Sequence, residues 1–130
     1  MSVPLPDLAK RLIDANTFAT LSTINPDGAP QATVIWLKRD GDDVLFSTIR
    51  GRRKTKNMER DPRVAICLFD PKDPYEYVEI RGHVELTEEN GRELIQELSQ
   101  RYDGVDFRVE PPEVIRVVCR LIADQALTHH

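Results

Sequence analysis

Residues 44–57 read Val-Leu-Phe-Ser-Thr-Ile-Arg-Gly-Arg-Arg-Lys-Thr-Lys-Asn, an apolar run followed at once by a cluster of cations. The run 44–49 combines aliphatic, aromatic and β-branched residues, which predicts a strand. The segment after it predicts a short helix that ends at Asp61-Pro62, because a residue that precedes proline disfavours the helical conformation. Five of the seven residues from Arg50 to Lys56 are basic and none is acidic, so these cations fall in the first turn of the predicted helix.

The basic cluster is a local feature of an acidic chain. The sequence has 18 Lys and Arg against 22 Asp and Glu, a net charge of -4, and without the five cations the balance is 13 against 22. A helix N-terminus already carries partial positive charge and unpaired N–H groups, so added cations are unfavourable there unless an anion binds. The cluster therefore indicates a phosphate site. Solubilising surface charge on a loop is the alternative that the residues leave open.

Composition narrows the class of protein. A nucleic-acid-binding face usually belongs to a basic domain, and this chain is acidic with only eight aromatic residues, so a nucleic-acid partner is not expected. The sequence contains no run of 18 apolar residues and no secretory signal pattern, so we expect no membrane partner and a cytoplasmic location. A length of 130 residues fits one domain, with a core over about residues 8–121 and a C-terminal tail over 122–130.

The reactive side chains form no catalytic or metal motif. Cys67 and Cys119 lie inside apolar runs, which predicts buried free thiols. No His, Cys, Asp or Glu residues have metal-ligand spacing, and no Ser/His/Asp set is visible, so no metal is expected. Redox chemistry in such a protein would depend on a bound cofactor.

Short apolar segments separated by turn residues predict a mainly β, α+β protein. Its expected form is a six-stranded antiparallel barrel, closed or partly closed, with three flanking helices. The helices are expected at 5–16, after Arg50 and from a Thr87 cap to Asp103-Gly104, with Leu94, Ile95, Leu98 and Tyr102 as a buried stripe. The strands are expected at 18–24, 31–38, 44–49, 63–69, 75–86 and 114–121.

Two of these strands, 31–38 and 63–69, are apolar on both faces instead of alternating. In a small antiparallel barrel this pattern indicates that something covers the outer face. Three short helices are too few to cover a six-stranded barrel, so the pattern favours a homodimer.

The motifs also follow a known order. Five short segments carry this order: the turn 27–31, the strand 33–36, the strand end 46–48, the cluster 53–57 and the segment 61–64 after the helix. Together they resemble the pyridoxamine 5'-phosphate oxidase-like split β-barrel family, the FMN-binding split-barrel type. Within it, the chain is most similar to the small deazaflavin-dependent reductases that use coenzyme F420. The resemblance covers about residues 8–121 and is most specific from Phe46 to Val64.

The resemblance implies a homodimer with two cofactor sites at its interface, where the flavin-like ring lies along a strand edge. It places Thr33, Val34, Ile35 and Trp36 beside the ring and ribityl chain, with Ser47 and Thr48 nearby. It assigns the phosphate to Arg53 and Lys54, with Arg52, Thr55 and Asn57 as close candidates, and brings Tyr75 and Tyr77 from the partner subunit. From the residues alone, plain core is the favoured interpretation of Val34, Ile35 and Trp36, and only the resemblance assigns them to a cofactor.

Two departures from the family's FMN-binding oxidases bear on the cofactor. Those enzymes carry an arginine in the place of Thr33 and a C-terminal segment with Arg and His residues for the pyridoxal substrate, and both are missing here. The resemblance thus implies F420, with FMN as the alternative, and hydride transfer between reduced F420 and an unidentified small organic acceptor. An FMN-binding protein and a non-catalytic flavin or deazaflavin carrier are the other interpretations.

Overall fold

The computed structural model describes residues 2–129, which form seven strands and three helices. The helices are α1 (Asp7–Asp14), α2 (Arg53–Arg60) and α3 (Gly91–Asp103). The strands are β1 (Ala19–Ile24), β2 (Pro30–Ile35), β3 (Lys38–Asp40), β4 (Asp43–Ile49), β5 (Arg63–Asp70), β6 (Asp73–Thr87) and β7 (Arg116–His129).

All seven strands form one antiparallel sheet in the order β2-β1-β5-β6-β7-β4-β3. β2 and β3 are the two edges of this sheet, yet only Trp36 and Leu37 separate them along the chain. Six strand spacings would hold the edges of a flat sheet about 29 Å apart. Three Cα steps span at most about 11 Å. The sheet must therefore curl until its edges meet, which confirms the predicted antiparallel split barrel.

The sheet has seven strands instead of six because the predicted strand 31–38 is divided at Trp36 and Leu37. The hydroxyl of Tyr102 accepts a hydrogen bond from the Leu37 N–H at 3.1 Å and lies 3.0 Å from the Leu37 carbonyl oxygen. The Leu37 N–H is thus satisfied by a side chain of α3, and the Leu37 carbonyl shares the single Tyr102 hydroxyl proton with the Thr17 carbonyl, also 3.0 Å away. The chain can leave one sheet edge and enter the other without an unpaired polar group at the corner.

The last strand is longer than predicted. β7 does not end at Leu121, because residues 122–129 continue alongside β6 as far as the pair Tyr77–His129. These residues are therefore a paired strand and not a tail, while His130 lies outside the described residues. The register shifts after Arg81 so that Asp124 is an extra residue in β7. This bulge breaks the two-residue alternation from which a strand is read in a sequence.

Helix α3 begins later than predicted. Thr87 is the last residue of β6, where its hydroxyl accepts the Glu89 N–H at 3.2 Å, and the helix instead follows Asn90, whose φ is 63°. Gly91 is the first residue of α3 and lies against the backbone of β7. A Cβ at this position would lie 2.4 Å from the Arg116 carbonyl oxygen, so only glycine fits. The predicted apolar stripe is confirmed at Leu94, Ile95 and Leu98, all buried.

The interior of the barrel is a continuous apolar core, and α1 covers one side of it with Leu8, Ala9, Leu12 and Ile13. This confirms the predicted amphipathic first helix. The largest fully buried side chains from the strands include Phe46, Leu21, Ile66, Ile80 and Leu121.

Tyr102→Phe is expected to lower the free energy of unfolding by about 1–3 kcal/mol, because the Leu37 backbone then loses its partner in a buried place. Urea unfolding followed by circular dichroism measures the loss. Tyr75→Phe is the matched control, since Tyr75 is 74% exposed, and it should change stability by less than about 0.5 kcal/mol. Equal stability of the two variants would contradict the role assigned to the Tyr102 hydroxyl.

Candidate functional site

The start of α2 has the chemistry of an anion site. The helix begins at Arg53 directly after the turn that follows β4, and Arg52 occupies its N-cap without a side-chain capping bond. No acidic residue lies in its first turn. The first N–H groups of a helix have no intrahelical acceptor, so this end presents donors and positive charge together.

Within the part of the chain that the structure describes, four of the five clustered cations have no carboxylate partner. Arg50 is paired with Glu59 at 2.8 Å and with Glu88 at 3.1 Å. Within residues 2–129, no ion pair involves the remaining four, which are Arg52, Arg53, Lys54 and Lys56. Positive charge that the protein leaves uncompensated favours a bound anion, which supports the phosphate interpretation over plain solubilising charge.

A cleft of about 140 Å³ lies beside this helix start, between the edge strand β2 and the surface made by β4, β7 and α3. It brings together six of the residues singled out in the sequence, together with three others. Its lining residues are Val34, Ile35, Trp36, Ser47, Arg52, Lys54, Ile95, Leu98 and Arg116. One wall is thus apolar and follows the β2 edge, whereas the other carries three cations and a hydroxyl.

Lys54 points into this cleft. Its Nζ lies 3.5 Å from the Thr33 hydroxyl, so Thr33 is adjacent although it does not line the cleft itself. Burial and then the Arg52 charge lower the pKa of Lys54 below its ordinary value. A bound anion would oppose this lowering by supplying the missing opposite charge.

The floor of the cleft holds a buried ion pair that the sequence reading missed. Arg116 bonds Glu110 through Nε and Nη2 at 2.8 and 3.0 Å, and its Nη1 donates to the Ser47 hydroxyl at 3.3 Å. The side chains of Arg116 and Glu110 are only 5% and 6% exposed. The one available signal was an arginine inside the apolar run 114–121.

Arg53 faces a different groove. It lines a space of about 310 Å³ with Asn25, Pro26 and Asp27, the turn between β1 and β2. Arg53 and Lys54 were expected to hold one phosphate together. The helix instead directs them to different grooves, because neighbouring residues of a helix do not face one another.

Three predicted contact residues are buried and bonded within the protein. Thr48 and Thr55 share a hydrogen bond of 2.8 Å, and Thr55 also donates to the Ile49 carbonyl at 2.6 Å. The Asn57 amide donates to Thr23 at 3.1 Å and to Asn25 at 3.0 Å. All three side chains are fully buried, so they fix α2 against the barrel and offer no atom to a ligand in this structure.

Tyr75 and Tyr77 lie near the start of β6 and line no part of the cleft of their own chain. Tyr75 is 74% exposed, and Tyr77 stacks on His129 with ring centroids 5.1 Å apart.

The outer face of β2, β1, β5, β6 and β7 carries several exposed apolar side chains among polar and charged ones such as the Arg81–Glu79 pair. Val34, Phe69 and Leu127 are 67%, 52% and 39% exposed there, and Cys67 is exposed between them. The prediction that Cys67 is buried is therefore wrong for the single chain, because its side chain falls on the outer side of β5. Cys119 is buried as predicted, which raises the pKa of its thiol to about 12.

Residues 2–129 contain neither a cluster of metal ligands nor a helix suited to cross a membrane. No group of three or more His, Cys, Asp or Glu side chains in this range is arranged to hold a metal ion. None of the helices described here has the length and apolar character that a membrane crossing requires.

The model of the pyridoxamine 5'-phosphate oxidase family matches residues 5–130. The solved structure of an F420 reductase is similar at 30% identity and a TM-score of 0.83, covering 95% of this chain and 98% of that chain. A conserved hypothetical protein from Mycobacterium tuberculosis shares the fold at 24% identity, TM-score 0.79, covering 98% and 86%. General Stress Protein 26 from Bacillus anthracis str. Sterne does so at 18% identity, TM-score 0.74, covering 95% and 92%.

Glu110→Gln is expected to reduce stability by about 2–4 kcal/mol at pH 7, because it leaves the buried Arg116 charge without its counter-charge. The bonds from Arg116 hold the pKa of Glu110 below its ordinary value. The stability that a lowered pKa supplies is present above the ordinary pKa of about 4.3 and is lost as pH falls through the lowered folded value. The difference between wild type and variant should therefore shrink below about pH 4.

Urea unfolding between pH 7 and pH 3 measures this dependence. Glu113→Gln, an exposed glutamate of the same segment, is the control and should leave the pH profile unchanged. A difference between wild type and Glu110→Gln that stays constant over the whole range would contradict the assigned ion pair.

Proposed function

Because the chain belongs to the pyridoxamine 5'-phosphate oxidase family, we propose that it is an F420-dependent oxidoreductase that transfers a hydride between reduced F420 and a small organic acceptor. The observation that carries the proposal is the uncompensated positive charge at the start of α2, next to the free edge of β2. The similarity to an F420 reductase at 30% identity favours the deazaflavin over FMN. Thr33 also favours F420 over FMN, because the FMN-binding oxidases carry an arginine at this position.

The cleft suggests how the cofactor would be held. The edge of β2 offers backbone groups that no neighbouring strand uses, and the indole of Trp36 lies beside it. Lys54 and Arg52 would meet the phosphate, with the N–H groups of α2 behind them. The bound deazaflavin supplies the hydride chemistry, while the protein orients the ring and excludes water.

The site needs a second subunit to be complete. Pockets for cofactor-sized ligands measure about 300–1,000 Å³, whereas the cleft of one chain holds about 140 Å³. Val34 is exposed on the outer face at this same strand edge, and Phe69 is exposed on the same face. We therefore place a homodimer interface on this face, with Tyr75 and Tyr77 approaching the ring of the other subunit's site. The cytoplasmic location stays a prediction from the sequence.

The cofactor assignment is tested by titrating the purified, cofactor-free protein with F420 and, in parallel, with FMN, following ring fluorescence. Tighter binding of F420 is expected. Tighter binding of FMN would leave the fold assignment unchanged and would indicate an FMN-binding protein instead of an F420-dependent enzyme. If F420 binds, the rate at which candidate acceptors reoxidise the reduced cofactor, with and without protein, separates a reductase from a carrier.

Lys54→Ala is expected to weaken F420 binding by about 1.5–3 kcal/mol, or about 10- to 150-fold in Kd, the usual size of a hydrogen bond to a charged group. Lys56→Ala is the matched control, because Lys56 is exposed on the same helix and lines neither groove. Equal affinities of the Lys54→Ala variant and wild type would refute the phosphate assignment. A comparable loss in Arg53→Ala would move the phosphate to the groove at the β1–β2 turn.

Phe69→Glu is expected to turn the dimer into a monomer, because it buries a carboxylate in the proposed interface. Sedimentation velocity measures the change. Val109→Glu is the control, since Val109 is 97% exposed but lies in the segment after α3, away from the sheet face. A monomeric wild type, or a Phe69→Glu variant that dimerises as well as wild type, would show that this face is not the interface.

A further inference from the structure

We propose that Arg116 is an anion-binding residue of the cleft and that Glu110 sets its strength, so that the buried pair tunes how tightly the site attracts an anionic ligand. The proposal rests on the proposed function for the identity of the ligand. The chemistry it requires is only a negatively charged group next to Lys54.

The placement of Arg116 supports a role in binding. Its guanidinium lines the cleft together with Arg52 and Lys54, and its Nη1 reaches the Ser47 hydroxyl at 3.3 Å. This hydrogen bond orients the Ser47 hydroxyl and holds the Arg116 guanidinium at the bottom of the cleft. The charge of Arg116 is also felt at Lys54, where it helps to lower the pKa of the ammonium.

The placement of Glu110 supports the tuning role. Glu110 belongs to the segment 104–115 between α3 and β7, and it does not line the cleft. Its carboxylate accepts hydrogen bonds from Nε and Nη2 of Arg116, so its negative charge lies behind that guanidinium and offsets the positive charge presented to the cleft. Both side chains are at least nine-tenths buried, where water and salt screen a charge weakly.

The segment that carries Glu110 is held in place by other bonds. Ser99 donates to the Val105 carbonyl at 2.8 Å, Gln96 accepts the Phe107 N–H at 2.8 Å, and Arg92 donates to the Val114 carbonyl at 2.9 Å. The ring of Phe107 lies 5.0 Å from the Arg116 guanidinium carbon. With these contacts in place, replacing the Glu110 carboxylate by an amide removes the counter-charge of Arg116 without releasing the segment.

Neutralising Glu110 is expected to change stability and anion affinity in opposite directions. Neutralising Glu110 leaves a buried cation uncompensated, which destabilises the empty protein. The same uncompensated charge attracts an anion more strongly, by about threefold to tenfold for one unit charge several ångströms away at an intermediate dielectric constant. A purely structural residue would lower stability and affinity together.

The experiment compares wild type, Glu110→Gln and the double variant Glu110→Gln/Arg116→Gln, in which two amides replace the pair and preserve a hydrogen bond. Each protein is titrated with F420 by fluorescence and with inorganic phosphate by calorimetry, and its urea unfolding is recorded without ligand. Glu110→Gln should bind both probes about threefold to tenfold more tightly than wild type while being less stable. The double variant should bind at least about thirtyfold more weakly than Glu110→Gln, and therefore more weakly than wild type.

Equal or weaker binding by Glu110→Gln, or equal affinities of that variant and the double variant, would overturn the proposal. The double variant keeps the test decisive if Glu110→Gln fails to fold, since it should then bind both probes more weakly than wild type, and unchanged affinity would overturn the proposal.

The two probes separate this proposal from the proposed function. If inorganic phosphate follows the expected order and F420 binds to none of the proteins, Arg116 keeps its role and the F420 assignment fails. If F420 binds to wild type and the variants do not follow the order, the F420 assignment stands and the role of Arg116 fails. Binding of neither probe by wild type would overturn both.

Discussion

The hydrogen bonds between the Tyr102 hydroxyl and the backbone of Leu37 fix the corner at which the chain passes from one edge of the sheet to the other. The chain crosses from β2 to β3 in two residues, and these strands are the opposite ends of a seven-stranded order. Tyr102 also packs on Trp36, with ring centroids 5.5 Å apart, and its hydroxyl lies 3.0 Å from the Thr17 carbonyl oxygen. One side chain of α3 therefore fixes the corner, the entry to β1 and the ring that borders the cleft.

Curling the sheet at this corner also creates the site. A barrel closed by hydrogen bonds would have no free edge, but here β2 turns its unpaired edge toward the start of α2. The hydrogen bonds of Thr48, Thr55 and Asn57 then fix the position of α2 relative to β4 and the β1–β2 hairpin. Free backbone groups and uncompensated cations face one another because the fold leaves one edge open.

The sequence predicted the features that local chemistry determines. The apolar run 44–49, the basic helix start and the antiparallel strands are readable because turn residues and charge occur within a few positions of one another. It did not predict which way each side chain of α2 points, and so gave no sign that Thr55 and Asn57 are buried or that Arg53 and Lys54 face different grooves. Arg116 and Glu110 were missed because their contact depends on how the segment 104–115 folds back. The second half of β7 was missed because the bulge at Asp124 interrupts the two-residue alternation of the strand.

The distribution of charge links folding of this chain to binding. Most arginines elsewhere have carboxylate partners, as Arg39 has Asp14 and Arg120 has Asp43. At the start of α2, Arg52 and Lys54 have none, and the Lys54 ammonium is partly removed from water. Such an arrangement costs stability in the empty protein and is offset when an anion binds. A ligand that binds only the folded state then stabilises it by mass action, so the cations that weaken the empty site are those that make occupancy and stability rise together.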